Sequence, residues 1–171
     1  VLSFSTAPDG TPAQDFSYSW TKGFFYGVAS DGANIYAVGA SHPGSGLTSD
    51  GIGGAEDKTL LATFNANGTA GSSPAPATDY AASNFFPGYQ GVELFQDVLV
   101  TTQGGNTVLY AVGHGQPPTA NGGYVIASYD SNDNLLHTAT EPVSGGFSIA
   151  RDVVEFNGQI WAVGYSEHAG P

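Results

Sequence analysis

The chain has no cysteine and no methionine. The missing thiols exclude disulfides, thiolate catalysis and cysteine-ligated zinc. Positive charge is nearly missing too. Lys22, Lys58 and Arg151 stand against 15 acidic residues, for a net charge of −12. A nucleic-acid partner needs Lys and Arg to neutralise its phosphates, so that class is not expected. Anionic membrane surfaces are disfavoured for the same reason. No apolar run approaches the ~18 residues of a spanning helix, and no membrane insertion is expected. Val1 leads directly into an alternating stretch, without a basic n-region or an apolar h-region. The expectation is that a signal peptide has been removed or that the chain is a piece of something longer. No G-x-S-x-G elbow is present, and no Walker lysine follows the Gly-Gly pairs.

What is abundant is glycine, with 25 residues, and aromatics, at 12%. The 171 residues suffice for one domain with a real core. Low Lys with much Gly, Ser, Thr and Asn suits a secreted, periplasmic or cell-surface bacterial protein. A repeat organises the chain. "NIYAVG" (34–39), "VLYAVG" (108–113) and "QIWAVG" (159–164) share aromatic-Ala-Val-Gly. Each follows a Val-led run and a tight turn: "YGVASDGA", "DVLVTTQGGN" and "DVVEFNG". Asp31-Gly32, Gly104-Gly105 and Asn157-Gly158 are hairpin signals, because these residues tolerate positive φ.

A further strand reads "VLSFSTAPDG", "LLATFNANG" and "YVIASYDSNDN", with aliphatic and aromatic three apart (Val1/Phe4, Leu61/Phe64, Ile126/Tyr129). From that aromatic to the next motif aromatic runs 32 residues (Phe4 to Tyr36), 46 (Phe64 to Tyr110) and 32 (Tyr129 to Trp161). The extra 14 residues of the middle unit point to an insertion within 69–88, whose Pro, Ala and Ser predict a loop. A weaker alternating segment, "DFSYSW" (15–20) and "LLHTATE" (135–141), completes about four strands per unit. No helical periodicity is present. Four short strands every 40–55 residues, with Gly turns and an aromatic motif, are the pattern of propeller blades.

In the order Val-led run, Asp-Gly turn, "NIYAVG", loop, "GGAEDKTLLATFNANG", the chain resembles the bacterial beta-propeller repeats of the SBBP and delta-60 kind, and more loosely the NHL repeats. The resemblance covers nearly the whole chain. It implies an all-β fold of propeller-type blades, mostly extracytoplasmic, with the Val-led run as inner strand, "AVG" second, "LLATFNANG" third and the weak segment outer. On that phase the units are a half-blade 1–20, a blade 24–86, a blade 91–143 and a half-blade 147–171. Three blades leave no room for a closed ring of ~4–8 blades. Completion is therefore expected from a homo-oligomer, such as a two-fold dimer pairing one chain's C-terminal half-blade with the other's N-terminal one, or from other segments of a larger propeller.

The loops after "AVG" are where function is expected. His42, His114 and His168 follow the motif glycine by three, one and four residues. Converging imidazoles would ligate a metal. The competing reading is three unrelated loop histidines, so a transition metal is not the leading expectation. "SDGIGGAED" sets Asp50, Glu56 and Asp57 among glycines, which suits Ca²⁺, though without EF-hand spacing; a solvated acidic loop reads equally. Tyr80, Phe85, Phe86 and Tyr89 gather in or just after the insertion. Exposed, they would stack on carbohydrate or anchor a protein ligand; packed down, they tie the loop to the blade. Asp97 and Asp152 precede their Val runs, where the first unit has Gly27, and predict a structural hydrogen bond between blades. No residue is marked as catalytic. The leading expectation is a non-catalytic binding or assembly module. The alternatives are a carbohydrate-active or metal-dependent propeller enzyme, and a blade-contributing subunit or fragment of a larger complex.

Overall fold

The computed structural model describes residues 2–6, 12–17, 23–41, 58–65, 78–80, 93–115, 123–141 and 147–167. These form twelve β-strands and no helix, so the fold is all-β. In chain order they are β1 (Leu2–Thr6), β2 (Pro12–Ser17), β3 (Gly23–Ser30), β4 (Asn34–Ser41), β5 (Lys58–Asn65) and β6 (Thr78–Tyr80). Then follow β7 (Glu93–Gln103), β8 (Asn106–Gly115), β9 (Gly123–Asp130), β10 (Leu135–Glu141), β11 (Ser148–Phe156) and β12 (Gln159–Ser166). The described strands make two four-stranded antiparallel sheets, β3-β4-β5-β6 and β7-β8-β9-β10, and two two-stranded ones, β1-β2 and β11-β12.

The turns lie where the glycines put them. Gly104 and Gly105 have φ of 59° and 85°, and Asn157 and Gly158 have 53° and 72°. Two consecutive positive φ angles match the twist of the flanking strands and close a two-residue hairpin. At the first turn, Gly32 has φ 89°. There the Asp31 carboxylate accepts the amides of Ala33 at 2.9 Å and Asn34 at 2.6 Å. The motif tyrosines tie back to these turns. The Tyr36 hydroxyl donates to Asp31 at 2.9 Å, and Gln103 Nε2 donates to the Tyr110 hydroxyl at 2.8 Å.

The motif glycine has a different reason to be glycine. The first strand of each of the hairpins β3–β4, β7–β8 and β11–β12 carries a one-residue bulge at the same register: Tyr26 in β3, Gln96 in β7 and Arg151 in β11. Beside each bulge the two strands approach so closely that a Cβ on Gly39, Gly113 or Gly164 would lie 1.8–1.9 Å from the carbonyl oxygen of Phe24, Leu94 or Ile149. No side chain fits there. The Ala-Val-Gly ending is thus written by a bulge that the sequence pattern does not announce.

Three sheets stack. β7 packs against β3, β4 and β5, and β11 packs against β7, β8 and β9. Between the first pair lie Tyr36, Val38, Leu61, Phe95, Val98, Leu109, Ala111, Val125, Ala127 and Tyr129. Between the second pair, Val112, Ala150 and Val153 pack with Leu99, Tyr110, Ile126, Ile160 and Ala162. The β7–β10 sheet therefore buries both faces of its inner strands. Its outer strand β10 is exposed almost throughout, His137 included. Polar ties cross the sheets as well. Asp97 accepts the Val153 amide at 3.1 Å, which is the expected hydrogen bond between units. Arg151 Nη1 donates to Gln96 Oε1 at 3.0 Å, joining one bulge residue to the next. Thr101 hydrogen-bonds Glu155, and the Thr63 hydroxyl donates to Asp133 at 2.7 Å. Gly27 takes the aspartate's place in β3 because its Cα faces the Asp97 backbone, where a Cβ would meet Asp97 Cα at 2.6 Å.

Two expectations shift. The segment predicted as loop contains β6, which pairs with β5 through Thr59–Tyr80, Leu60–Asp79 and Leu61–Thr78. The weak segment of the first unit forms a strand three residues early, at Pro12, which opposes Thr6. Proline can open a strand because its missing N–H is no loss at that position.

The bulge argument predicts a clear contrast. Gly113→Ala should cost about 3 kcal/mol through overpacking against a backbone carbonyl. Gly158→Ala, with open space but positive φ, should cost about 1 kcal/mol. Urea unfolding of the two variants measures the difference. The intersheet tie gives a second prediction. Asp97→Asn keeps the acceptor and should match the parent at neutral pH, whereas Asp97→Ala should lose about 1–3 kcal/mol.

Candidate functional site: the loop end of the stacked sheets

In each unit the inner strand begins where the second strand ends. Gly23 opposes Ser41, Glu93 opposes Gly115 and Ser148 opposes Ser166. The sheets stack with equivalent strands adjacent, so these three corners share one end of the molecule. β4, β8 and β12 all end there, and the residues that follow them, 42–57, 116–122 and 168–171, lie outside the described residues.

Most of the sequence-derived site residues fall on segments that the structure does not describe. His42, Asp50, Glu56, Asp57, His168, Phe85, Phe86 and Tyr89 lie outside the described residues. Tyr80 is the last residue of β6, opposite Thr59 on β5. His114 is described in full. It is the penultimate residue of β8, opposite Leu94, and it is buried. Its Nδ1 donates to the Ser148 carbonyl at 2.6 Å, since a carbonyl can only accept. The remaining Nε2 is then the unprotonated nitrogen. The ring lies on Phe147, with centroids 4.2 Å apart, and Phe147 in turn meets Tyr165. Burial holds the imidazole below its usual pKa, against the raising effect of the Ser148 carbonyl, so it is neutral near pH 7. The register partners of His114 in the other units are Ala40, opposite Phe24, and Tyr165, opposite Ile149.

Sequence reasoning missed Glu93. It opens β7, is fully buried, and neither carboxylate oxygen has a hydrogen-bond partner. Burial alone pushes its pKa up to about 8. A buried carboxylate without a partner is unstable as a charge, so at neutral pH Glu93 is a carboxylic acid with a proton to donate. A signal existed in "VELFQDVLV", where one acid interrupts the start of an apolar run. The same end thus holds a protonated acid and a neutral imidazole, but Glu93 opposes Gly115 while His114 opposes Leu94, so the two side chains leave opposite faces of the hairpin.

The other carboxylates are used by the scaffold. Asp97 is raised by burial first and then by its contact with Asp152, against the lowering by the Val153 and Val98 amides. Asp130 accepts the amides of Asn132 and Asn134, each at 2.9 Å, and is lowered by its bonds to Asn134. The turn "YDSNDN" is therefore held by its own backbone. Among the described residues, no group of three or more His, Asp or Glu is placed to hold a metal ion.

Compared with known proteins, the chain matches no protein-family model and no curated protein.

Glu93 generates a pH prediction. Its folded pKa, about 8, lies above its ordinary 4.5, so the folded state holds the proton more tightly than the unfolded one. Between those values the folded state binds more protons, and stability falls as pH rises. Glu93→Gln removes this dependence. The two proteins should be similar near pH 4.5, and the variant should be more stable by about a few kcal/mol above pH 8. Urea midpoints of both proteins across that range measure it.

Proposed function

We propose that the chain is an array of propeller-type blades serving as a non-catalytic binding and assembly module, secreted or displayed at a bacterial cell surface. One observation carries the reading. Three hairpins repeat one register and one bulge and pack one on the next, so the ends of β4, β8 and β12 gather at one end of the stack. A scaffold that gathers several connections at one end is suited to holding a ligand. The family resemblance carried by the aromatic-Ala-Val-Gly repeats supports the blade reading. Phe85, Phe86 and Tyr89, together with Tyr80, would stack on sugar rings if they stand exposed. The acidic stretch of Asp50, Glu56 and Asp57 would hold Ca²⁺ to order its loop.

A second reading has a specific observation behind it. The buried, protonated Glu93 at the loop end would supply the acid that a carbohydrate-active enzyme needs.

Retention on insoluble chitin, cellulose and xylan, with assay of released reducing sugar, separates the two. The module reading predicts retention that disappears when Phe85, Phe86 and Tyr89 are changed together to Ala, with the unfolding transition kept and no sugar released. Release of reducing sugar that Glu93→Gln abolishes would overturn it in favour of the enzyme.

A further inference from the structure

Because three units share one register, the same positions can be compared with and without a neighbouring sheet. On the face toward the following sheet, Tyr36 and Val38 of the first unit and Val112 of the second are fully buried. Their counterparts in the third unit are Trp161 and Val163, which are 52% and 57% exposed; Val154 beside them is 53% exposed. Phe156 and Tyr165 extend this bare strip along β11 and β12. On the face toward the preceding sheet, Val98 and Val153 are 4% and 6% exposed, whereas their counterpart Val28 is 60% exposed; beside it on that face Ala37, Ala62 and Phe64 are buried in a cluster with Phe25 and Ile35. The stack therefore ends in a bare apolar strip on β11–β12 and, at the other end, in an exposed Val28 on β3 at the margin of a covered cluster. One is the surface that twice receives an inner strand within the chain. The other lies on an inner strand of the kind that is twice received.

We propose that a second copy of this chain seats its β3 on the open β11–β12 face, repeating head to tail the contact that β11 makes with β7 and β8. This rests on the blade reading above. Val28 of the copy meets Trp161 and Val163, as Val153 meets Tyr110 and Val112. Asp152 stands where Asp97 stands, and it accepts the amide of the copy's Val28 as Asp97 accepts that of Val153. The strand count agrees. Among the described strands, the β11–β12 sheet has two where its neighbours have four, and β1–β2 is a separate pair. β1 matches β5 and β9 in spacing to the next motif. In those sheets Ile35 opposes Phe64 and Leu109 opposes Tyr129. The equivalent pairing sets Phe4 of the copy opposite Ile160. Chain connectivity allows it, because β2 ends at Ser17 and β3 begins at Gly23, so a seated β3 brings its own β1–β2 to the edge of β12. A second copy is the occupant proposed, since the chain itself carries both a bare β11–β12 face and the exposed Val28 of β3. A head-to-tail contact closes as a ring when two chains satisfy both of each other's ends.

Sedimentation velocity and light scattering across a wide dilution range test this. The parent should show twice the chain mass. Val28→Asp and Val163→Lys, made separately, should each halve that mass while keeping β-type circular dichroism and cooperative unfolding. Mixing the two variants should restore the doubled mass, because the introduced ammonium of one chain then faces the introduced carboxylate of the other. A parent that stays monomeric at every concentration would overturn the proposal. So would a dimer that Val28→Asp leaves intact, or variants that the mixture fails to rescue, both of which mean a contact of β11–β12 with something other than β3. Polysaccharide retention by a monomeric parent would strike this inference alone and leave the binding reading standing.

Discussion

Everything in the stack depends on one close contact, a glycine Cα pressed against the carbonyl oxygen of a bulged neighbour. At Gly39, Gly113 and Gly164 there is no room for a single carbon atom. The bulge beside each glycine adds a residue to the inner strand and re-aims the next side chain, as bulges do. In the second unit that side chain is Asp97, whose carboxylate then reaches the next sheet and accepts an amide there. In the third it is Asp152. In the first the position is Gly27, bare because the Asp97 backbone already fills the space. The repeat is thus more than a pattern of apolar residues. It is a repeated way of bringing one inner strand onto the next.

Stacking follows from burial. A four-stranded sheet with apolar side chains on both faces needs cover on both sides. The β7–β10 sheet has it, with one core cluster on each face. The first sheet carries a further cluster of Ala37, Ala62 and Phe64 on its other face but leaves Val28 in water, and the β11–β12 sheet leaves Trp161 and Val163 there. Exposed strips of this kind mark interaction surfaces in soluble proteins. The polar residues of the loop end obey the same logic in reverse. His114 is buried but satisfied by Ser148, whereas Glu93 is buried without a partner and keeps its proton instead.

The strand order and the hairpin turns were legible in the sequence because they rest on local chemistry. Asn157-Gly158 and Gly104-Gly105 can adopt positive φ, and an alternating run between such turns has few other choices. The intersheet bond of Asp97 was legible because the same residue type recurred at the same offset. The bulges were not, since Tyr26, Gln96 and Arg151 share no chemistry. Nor was the burial of Glu93, which depends on the neighbours that the fold brings over it. The three histidines illustrate the limit of counting from a motif. His114 is the penultimate residue of β8 and is matched in register by Ala40 and Tyr165, while His42 and His168 lie outside the described residues.

The central claim is that the open ends repeat the contact found inside the chain. Because the protein has no cysteine, pairs can be introduced without background. A short thiol cross-linker applied to Val112→Cys/Val153→Cys should link one chain to itself, and applied to Val28→Cys/Val163→Cys it should link two chains together. Cross-linking of the first pair with none of the second would contradict the account.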